Sequence, residues 1–190
     1  MNSGRNRGRA YQPAVASRGF APIIGGNAKV LILGSLPSQQ SLIQQEYYAN
    51  PRNTFWRIMS EIVAFGSGNA YQERCKYLVN KGIAVWDVLA SSVRPGSLDS
   101  AIDIDSARAN DFSDLFGRQP GIKLIGFNGM KARDLFDRLV LRAVSLPDGC
   151  MLVNLPSTSP AHAAMNYTDK LGHWSVIGQF IGRDDYDESE

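Results

Sequence analysis

The sequence predicts an α/β fold, a three-layer α/β/α sandwich with a central, mostly parallel four-stranded sheet. Four short apolar runs, each typical of a buried strand, lie at residues 29–34, 82–88, 122–127 and 150–155. Segments in which apolar residues recur at helical spacing separate these runs. Strands that alternate with helices pair most simply in parallel, with helices covering both faces of the sheet.

The predicted helices follow from the same periodicity. In residues 52–65, Phe55, Ile58 and Ile62 recur every three or four positions and mark one apolar face. The segment at residues 70–80 is followed by Gly82, which is typical of a helix end. The other helices are predicted at residues 106–116, 130–141 and 169–181.

Charge divides the chain into a body and two tails. The 190 residues carry a net charge of +2, which suits one domain with a local basic patch and not a broadly basic surface. Residues 1–18 hold four arginines and no acid, whereas residues 183–190 hold five acids and one arginine. We expect a domain at residues 19–182 between two disordered tails. The basic tail either attracts phosphates or has no role.

Several classes of protein are excluded by residues that are missing. Two cysteines form neither a disulfide framework nor a four-thiolate cluster, and two histidines form no histidine-rich metal site. No Walker loop is present, and no apolar run approaches the roughly 18 residues of a membrane span. The N-terminus lacks the apolar stretch of a secretory signal. We expect a cytoplasmic protein, associated with the nucleoid if bacterial, without a metal, cofactor or membrane partner.

The loops that follow the predicted strands are rich in small, hydroxyl and amide side chains. They lie at residues 34–38, 90–97, 128–129 and 156–162. Ligands bind at the carboxyl ends of parallel strands, so these loops are expected to form one rim. A neutral, hydrogen-bonding rim suits a nucleobase, with phosphates held by hydroxyl and main-chain N–H groups.

Four motifs in these loops resemble a known family. They are GSLPSQQSLIQQEYYANPRNTFW at residues 34–56, AVWDVL at 84–89, FNG at 127–129 and LPSTSPAHA at 155–163. In this order they resemble the uracil-DNA glycosylase superfamily, most closely its hypoxanthine-DNA glycosylase branch, over about residues 20–182. The resemblance implies an enzyme that flips a deaminated base, mainly hypoxanthine, out of DNA and hydrolyses its N-glycosidic bond. We expect this enzyme to be a monomer. It implies an abasic product and no cofactor.

Two positions depart from the superfamily pattern. Leu36 stands where many members carry an Asp or Asn that activates water, and Leu155 replaces the His that often opens the second motif. Three alternatives therefore remain open. They are a catalytically weak or silent DNA-binding module, a uracil-preferring glycosylase, and a small-molecule enzyme of flavodoxin-like topology.

Asn53 and Asn50 are the candidate catalytic residues, because an amide can orient the attacking water. Asn53 could instead cap the following helix, and Asn50, which precedes a proline, could be a turn residue.

The candidate base-binding residues are Tyr47, Tyr48, Asp87, Asn128 and Leu36. A tyrosine face could stack on a flipped base, Asp87 could accept the purine N1–H, and Asn128 could bind a base edge. Each has an alternative: core packing for one tyrosine, a tie to the next loop for Asp87, and a simple turn at Asn128.

The candidate DNA contacts are Ser38, Ser157, Thr158, Ser159, Pro160 and His162. Hydroxyl groups could hold phosphates, while Pro160 and His162 could lie at a wedge. His162 could equally be a solvated loop residue. Arg94 and Lys131 are expected to add phosphate-binding charge. No lysine lies in a motif loop, so Schiff-base chemistry is not expected.

Overall fold

The computed structural model describes residues 16–66 and 68–187 and confirms the predicted fold class. Its main sheet has four strands in the order β3-β2-β6-β7, all parallel. These strands are β2 (Val30–Gly34), β3 (Ile83–Asp87), β6 (Leu124–Asn128) and β7 (Met151–Leu155). Each lies within or close to one of the predicted apolar runs.

A second, small antiparallel sheet was not predicted. It consists of β1 (Ala16–Arg18), β4 (Leu89–Val93) and β5 (Arg108–Ala109) in the order β1-β4-β5. Strand β4 begins two residues after β3 ends, so part of the segment predicted as a strand-end loop is itself a strand. Strand β1 also places residues 16–18 in a sheet, inside the expected tail; residues 1–15 lie outside the described chain.

The helices are α1 (Gln39–Gln44), α2 (Phe55–Val63), α3 (Tyr71–Asn80), α4 (Phe112–Arg118), α5 (Met130–Leu139) and α6 (Tyr167–Asp187). The helix predicted at residues 106–116 begins only at Phe112, because the Asp111 side chain accepts the backbone N–H of Asp114 and caps α4 there. Helix α6 continues to Asp187, into the expected acidic tail, of which residues 188–190 are not described. None of the described helices is long and apolar enough to span a membrane.

Two successive residues of β6 show how the helices form two layers. A Cβ on Gly126 would meet Ile177 of α6, whereas the ring of Phe127 lies 5.2 Å from the ring of Phe136 in α5. Since neighbouring residues of a strand point to opposite faces, α6 and α5 cover opposite sides of the sheet. Strands β2, β3 and β6 are thus buried on both faces, whereas the edge strand β7 is partly exposed. The polar residues Asp87 and Asn128 lie where β3 and β6 end.

Candidate active site

A cleft of about 710 Å³ opens at the carboxyl ends of the parallel strands. All thirteen candidate catalytic, base-binding and DNA-contact residues line it, whereas Arg94 and Lys131 do not. The thirteen are Leu36, Ser38, Tyr47, Tyr48, Asn50, Asn53, Asp87, Asn128, Ser157, Thr158, Ser159, Pro160 and His162. The tyrosine-rich segment and the proline-bounded serines therefore face the same space. The prediction of a neutral rim is incomplete, because Asp87 and Asp99 both line the cleft.

Arg94 holds the turn after β2 by donating hydrogen bonds to two of its carbonyls. Its Nη1 donates to the Leu36 carbonyl over 3.0 Å, and its Nη2 donates to the Pro37 carbonyl. The Arg94 side chain is buried, and its Nη1 lies 3.9 Å from Asp99. The expectation that Arg94 binds a phosphate is therefore wrong, since its side chain is buried and both Nη groups donate to the protein's own carbonyls. Lys131, half-exposed, stays a prediction.

Within residues 16–66 and 68–187, a carboxyl oxygen and a hydroxyl on the floor of the cleft have no hydrogen-bond partner. Asp87, only 3% exposed, ends β3 opposite Gly34, and its Oδ2 has no hydrogen-bond partner. The buried hydroxyl of Tyr48 likewise has none. A Cβ on Gly34 would lie 2.4 Å from Asp87 Oδ1 and 3.1 Å from the Tyr48 hydroxyl, so only glycine leaves room for both groups.

Burial perturbs both of these groups. It raises the pKa of Asp87 to about 8, aided by the negative charge of Asp99 and opposed by Arg94. Burial and the charge of Asp87 also raise the pKa of Tyr48. A carboxyl with a pKa near neutrality in a cleft is a frequent mark of a functional site.

The two tyrosines have different roles in the structure. Tyr47 packs in the core, where its ring meets Phe20 edge to face and its hydroxyl donates to the Ala21 carbonyl. Tyr48 stacks on Phe55 with ring centroids 3.9 Å apart, and its φ of 55° lies in the left-handed region. Such a backbone costs about 1–3 kcal/mol for a non-glycine residue and is typical of functional sites. The core-packing alternative therefore holds for Tyr47.

Asn50 and Asn53 occupy the turn before α2. The Asn53 Oδ1 accepts the Phe55 N–H over 2.9 Å, and the Asn50 Oδ1 accepts the Arg52 N–H over 2.9 Å. Both alternatives for these amides, helix-end capping and a turn, are thus present in the structure. Within the described residues, neither side-chain NH₂ group has a hydrogen-bond partner, so both remain able to donate in the cleft.

Thr158 joins the second motif to two other segments. Its N–H donates to Asn128 Oδ1 over 2.8 Å, and its hydroxyl accepts Asn128 Nδ2 over 2.9 Å. Its carbonyl accepts the Thr54 N–H over 3.1 Å. Thr158 is 1% exposed and its side chain bonds Asn128, while its phosphate contact stays a prediction. The amide of Asn128 holds this loop, and the Gly129 N–H donates to the Phe127 carbonyl over 2.9 Å, so the expected turn is centred on Asn128. Its contact with a base edge stays a prediction.

The other hydroxyls of the rim are partly occupied. Ser38 caps α1, because its Oγ accepts the Ser41 N–H. Its hydroxyl also donates to Ser41 Oγ over 3.1 Å. Ser157 and Ser159 Oγ each accept a backbone N–H two residues ahead, which leaves each hydroxyl hydrogen free to donate. Their predicted phosphate contacts are compatible with this arrangement, and Ser38 is a poorer candidate.

The end of the loop is held from α6. Exposed His162 has its carbonyl bound by the buried Lys170 Nζ over 2.9 Å, and Trp174 Nε1 donates to the Pro156 carbonyl over 2.9 Å. Pro160 lies half-buried beside them. These bonds hold the backbone of the loop against α6.

Two residues of the cleft, Asp99 and Leu98, were not predicted from the sequence. Asp99 begins a short 3-10 turn (Asp99–Ala101), and its Oδ1 accepts the Ser35 hydroxyl over 2.5 Å. Leu98, next to it, is 59% exposed at the cleft. No periodicity or motif marks residues 98–101, and the segment that follows β4 brings them back over the turn after β2.

Comparisons with known proteins agree with this geometry. A relative from Methanosarcina acetivorans named hypoxanthine DNA glycosylase is 42% identical over 161 residues, which span 84% of this chain and 96% of the relative. One of the same name from Methanosarcina barkeri is 38% identical over 116 residues, 60% of this chain and 72% of the relative. The chain belongs to the hypoxanthine-DNA glycosylase branch of the uracil-DNA glycosylase superfamily.

A solved structure supports the same placement. The solution NMR structure of a candidate uracil DNA glycosylase from M. acetivorans matches with a TM-score of 0.74 and 34% identity, covering 88% of this chain and 99% of that chain. No family model matches the sequence. Membership in the hypoxanthine-DNA glycosylase branch favours an N-glycosyl hydrolase over a silent binding module.

The two departures from the superfamily pattern have different settings in this glycosylase. Leu36 lines the cleft, so an apolar side chain occupies the water-activating position. Leu155 is buried and packs over Gly126. The catalytic groups must therefore come from other residues of the cleft.

Proposed function

We propose that this glycosylase, acting as a monomer on DNA, excises hypoxanthine by monofunctional hydrolysis and leaves an abasic site. The observation that carries the proposal is the unpartnered pair on the floor of the cleft, Asp87 and Tyr48. A buried polar group without a partner costs about 1–3 kcal/mol. Two such groups at one point are best explained by a ligand that binds both.

The edge of a deaminated base fits this pair. Hypoxanthine presents an N1–H donor beside the O6 acceptor, whereas adenine presents an N1 acceptor beside an N6–H donor. The free protein holds Asp87 mainly protonated near pH 7, but a bound N1–H donor favours the ionised carboxylate, which accepts it. The Tyr48 hydroxyl donates to O6. Adenine would oppose its N1 lone pair to the carboxylate. Flipped bases are commonly recognised in this way, through the edge that pairs in the duplex.

Asn53 is the residue we assign to the attacking water. Its Oδ1 is held by the Phe55 N–H, which fixes the direction of the free NH₂ group. That NH₂ can donate to a water oxygen and hold its lone pair towards the sugar C1′. Orientation of this kind supplies several kcal/mol of the rate enhancement. Ser157 and Ser159 are assigned to the DNA phosphates, with His162 at the rim.

The cleft lining within the described residues includes no lysine, which supports direct hydrolysis over Schiff-base chemistry. Lys170 is not in the lining, and its Nζ is bound to the His162 carbonyl. Borohydride trapping of a covalent protein–DNA adduct would contradict this assignment.

The test uses duplex oligonucleotides that contain deoxyinosine, deoxyuridine, deoxyxanthosine or only normal bases. After incubation, alkali cleaves any abasic site, and single-turnover rates are compared. We expect fastest release at deoxyinosine and none from normal adenine. Asn53→Ala is expected to lower the rate about 100-fold with little change in DNA affinity. Binding without strand breaks on any deaminated substrate would refute the proposed function, and faster release of uracil would reassign the substrate.

A further inference from the structure

We propose that Asp99 is the general base of this enzyme and takes the proton of the attacking water. It would do the work of the acidic residue that many superfamily members carry at the position of Leu36. The inference rests on the proposed function and deepens it. The reaction needs a proton acceptor, and the residues assigned so far do not supply one.

Asn53 can orient a water but is a poor proton acceptor. Its Oδ1 is already bound to the Phe55 N–H, and an amide has almost no basicity. Attack of water on C1′ forms a C–O bond while the C1′–N9 electron pair leaves with the base. The water must then lose a proton to an acceptor within reach.

The cleft offers few acceptors of this kind. Among the lining residues in the described chain, the carboxylates are Asp87 and Asp99, and the one imidazole is His162. Asp87 lies on the floor, where burial favours its protonated form, and is assigned to the base edge. His162 is exposed at the rim, and within the described residues its imidazole has no hydrogen-bond partner to orient it. Asp99 remains.

The setting of Asp99 suits a base. One oxygen, Oδ1, accepts the Ser35 hydroxyl over 2.5 Å, which fixes the carboxylate beside residue 36. The Asp99 side chain is 44% exposed, so water can reach it. The same carboxylate lies 3.9 Å from the buried Arg94 guanidinium, whose charge favours ionisation.

The charges around Asp99 come from several elements. Asp87 on β3 and Asp99 repel each other when both are ionised, so each disfavours the charged form of the other. The positive charges of Arg94 after β4 and Lys131 on α5 favour the charged form of Asp99. Burial raises the pKa of Asp99 above its ordinary value, which improves it as a proton acceptor. The negative charge also favours the positively charged sugar of the transition state.

The proton balance of the step is complete. The water oxygen bonds to C1′, its proton moves to Asp99, and the half-exposed carboxyl passes that proton to solvent. The departing base takes one proton from solvent. The net reaction consumes one water and yields free hypoxanthine and an abasic sugar.

The experiment measures single-turnover release from a deoxyinosine duplex, with DNA affinity measured in parallel. Asp99→Asn keeps an oxygen for Ser35 and removes the base, so we expect a rate loss of about 100- to 1,000-fold with affinity within about threefold. Asp99→Ala opens space, and added formate should restore at least about tenfold of the lost rate by supplying a carboxylate. Asp105→Asn, an exposed carboxylate outside the cleft, is the matched control and should match wild type.

The outcomes separate the two proposals. If Asp99→Asn is as fast as wild type, Asp99 is not the base and the proposed function stands. If rate and DNA affinity fall together and formate restores nothing, Asp99 is structural and the inference fails. If wild type releases no deaminated base, both proposals fall. Formate rescue of Asp99→Ala, with none for Asn53→Ala, supports the assignment.

Discussion

The buried carboxyl of Asp87 should make the stability of the protein depend on pH. Its pKa rises from the ordinary 3.8 to about 8, chiefly because burial disfavours the charged form. The unfolded chain ionises this group near pH 4, whereas the folded protein keeps it protonated up to about pH 8. Between those values the folded state binds the extra proton, so the free energy of unfolding falls as pH rises.

The size of the stability change is set by the difference between the pKa of Asp87 in the unfolded and folded states. Each pH unit lowers the free energy of unfolding by about 1.4 kcal/mol, and the loss is complete above about pH 8. At pH 7 the loss reaches about 4 kcal/mol, a large part of the roughly 5–15 kcal/mol that stabilises a typical domain. Asp87→Asn has the same shape without the charge, so it should be about 2–4 kcal/mol more stable than wild type at pH 7.

The assay is urea unfolding followed by tryptophan fluorescence, for both proteins, at several values between about pH 4.5 and pH 8.5. The stability difference should be small at the acid end and widen with pH, while hypoxanthine release by Asp87→Asn falls. Asp105→Asn, which changes an exposed carboxylate, should show no such widening. A variant that is less stable than wild type at pH 7, or a difference that stays constant with pH, would refute the reasoning.

Three further substitutions test neighbouring parts of the site. Tyr48→Phe removes a buried hydroxyl without a partner, so the free energy of unfolding should stay level or rise by about 1 kcal/mol while deoxyinosine cleavage slows; a marked loss of stability would contradict this. Asn128→Ala removes both bonds to Thr158, and urea unfolding should show a loss of about 2–4 kcal/mol, with weaker DNA binding by fluorescence anisotropy; unchanged affinity would argue against a positioning role. Gly34→Ala places a Cβ 2.4 Å from Asp87, so we expect about 1–3 kcal/mol of destabilisation by thermal melting and loss of excision; wild-type activity would show that the floor can rearrange.

The main sheet could be predicted because its strands are short, continuous apolar runs, which are typical of parallel sheets covered by helices. The start of α4 at Phe112 could also have been predicted from the sequence. Asp111 followed by Asp114 three residues later is an ordinary helix-start pattern. Strand β4 could not be separated from the loop, because LASSV is half polar and follows β3 almost directly. Its pairing partners, β1 and β5, are distant in sequence.

Site residues were easier to place than to assign. Strand ends converge in any parallel sheet, so the loops could be brought together from sequence alone. Which polar groups bond to each other depends on side-chain directions that no spacing records. Thr158 and Ser157 have similar chemistry and adjacent positions, yet one is buried against Asn128 and the other keeps a free hydroxyl hydrogen. Asp99 reaches the cleft only through tertiary packing of its loop against Ser35.

The bonds that Thr158 makes join segments that are far apart along the chain. Thr54 is 104 residues away and Asn128 is 30 residues away. Contacts with such long sequence separations form late, because the intervening chain must first be closed into loops. During synthesis, the earlier motifs emerge before the segment that completes the cleft exists. A partly made chain therefore has no assembled pocket, and base-removing activity arises only once the last strand has joined the sheet.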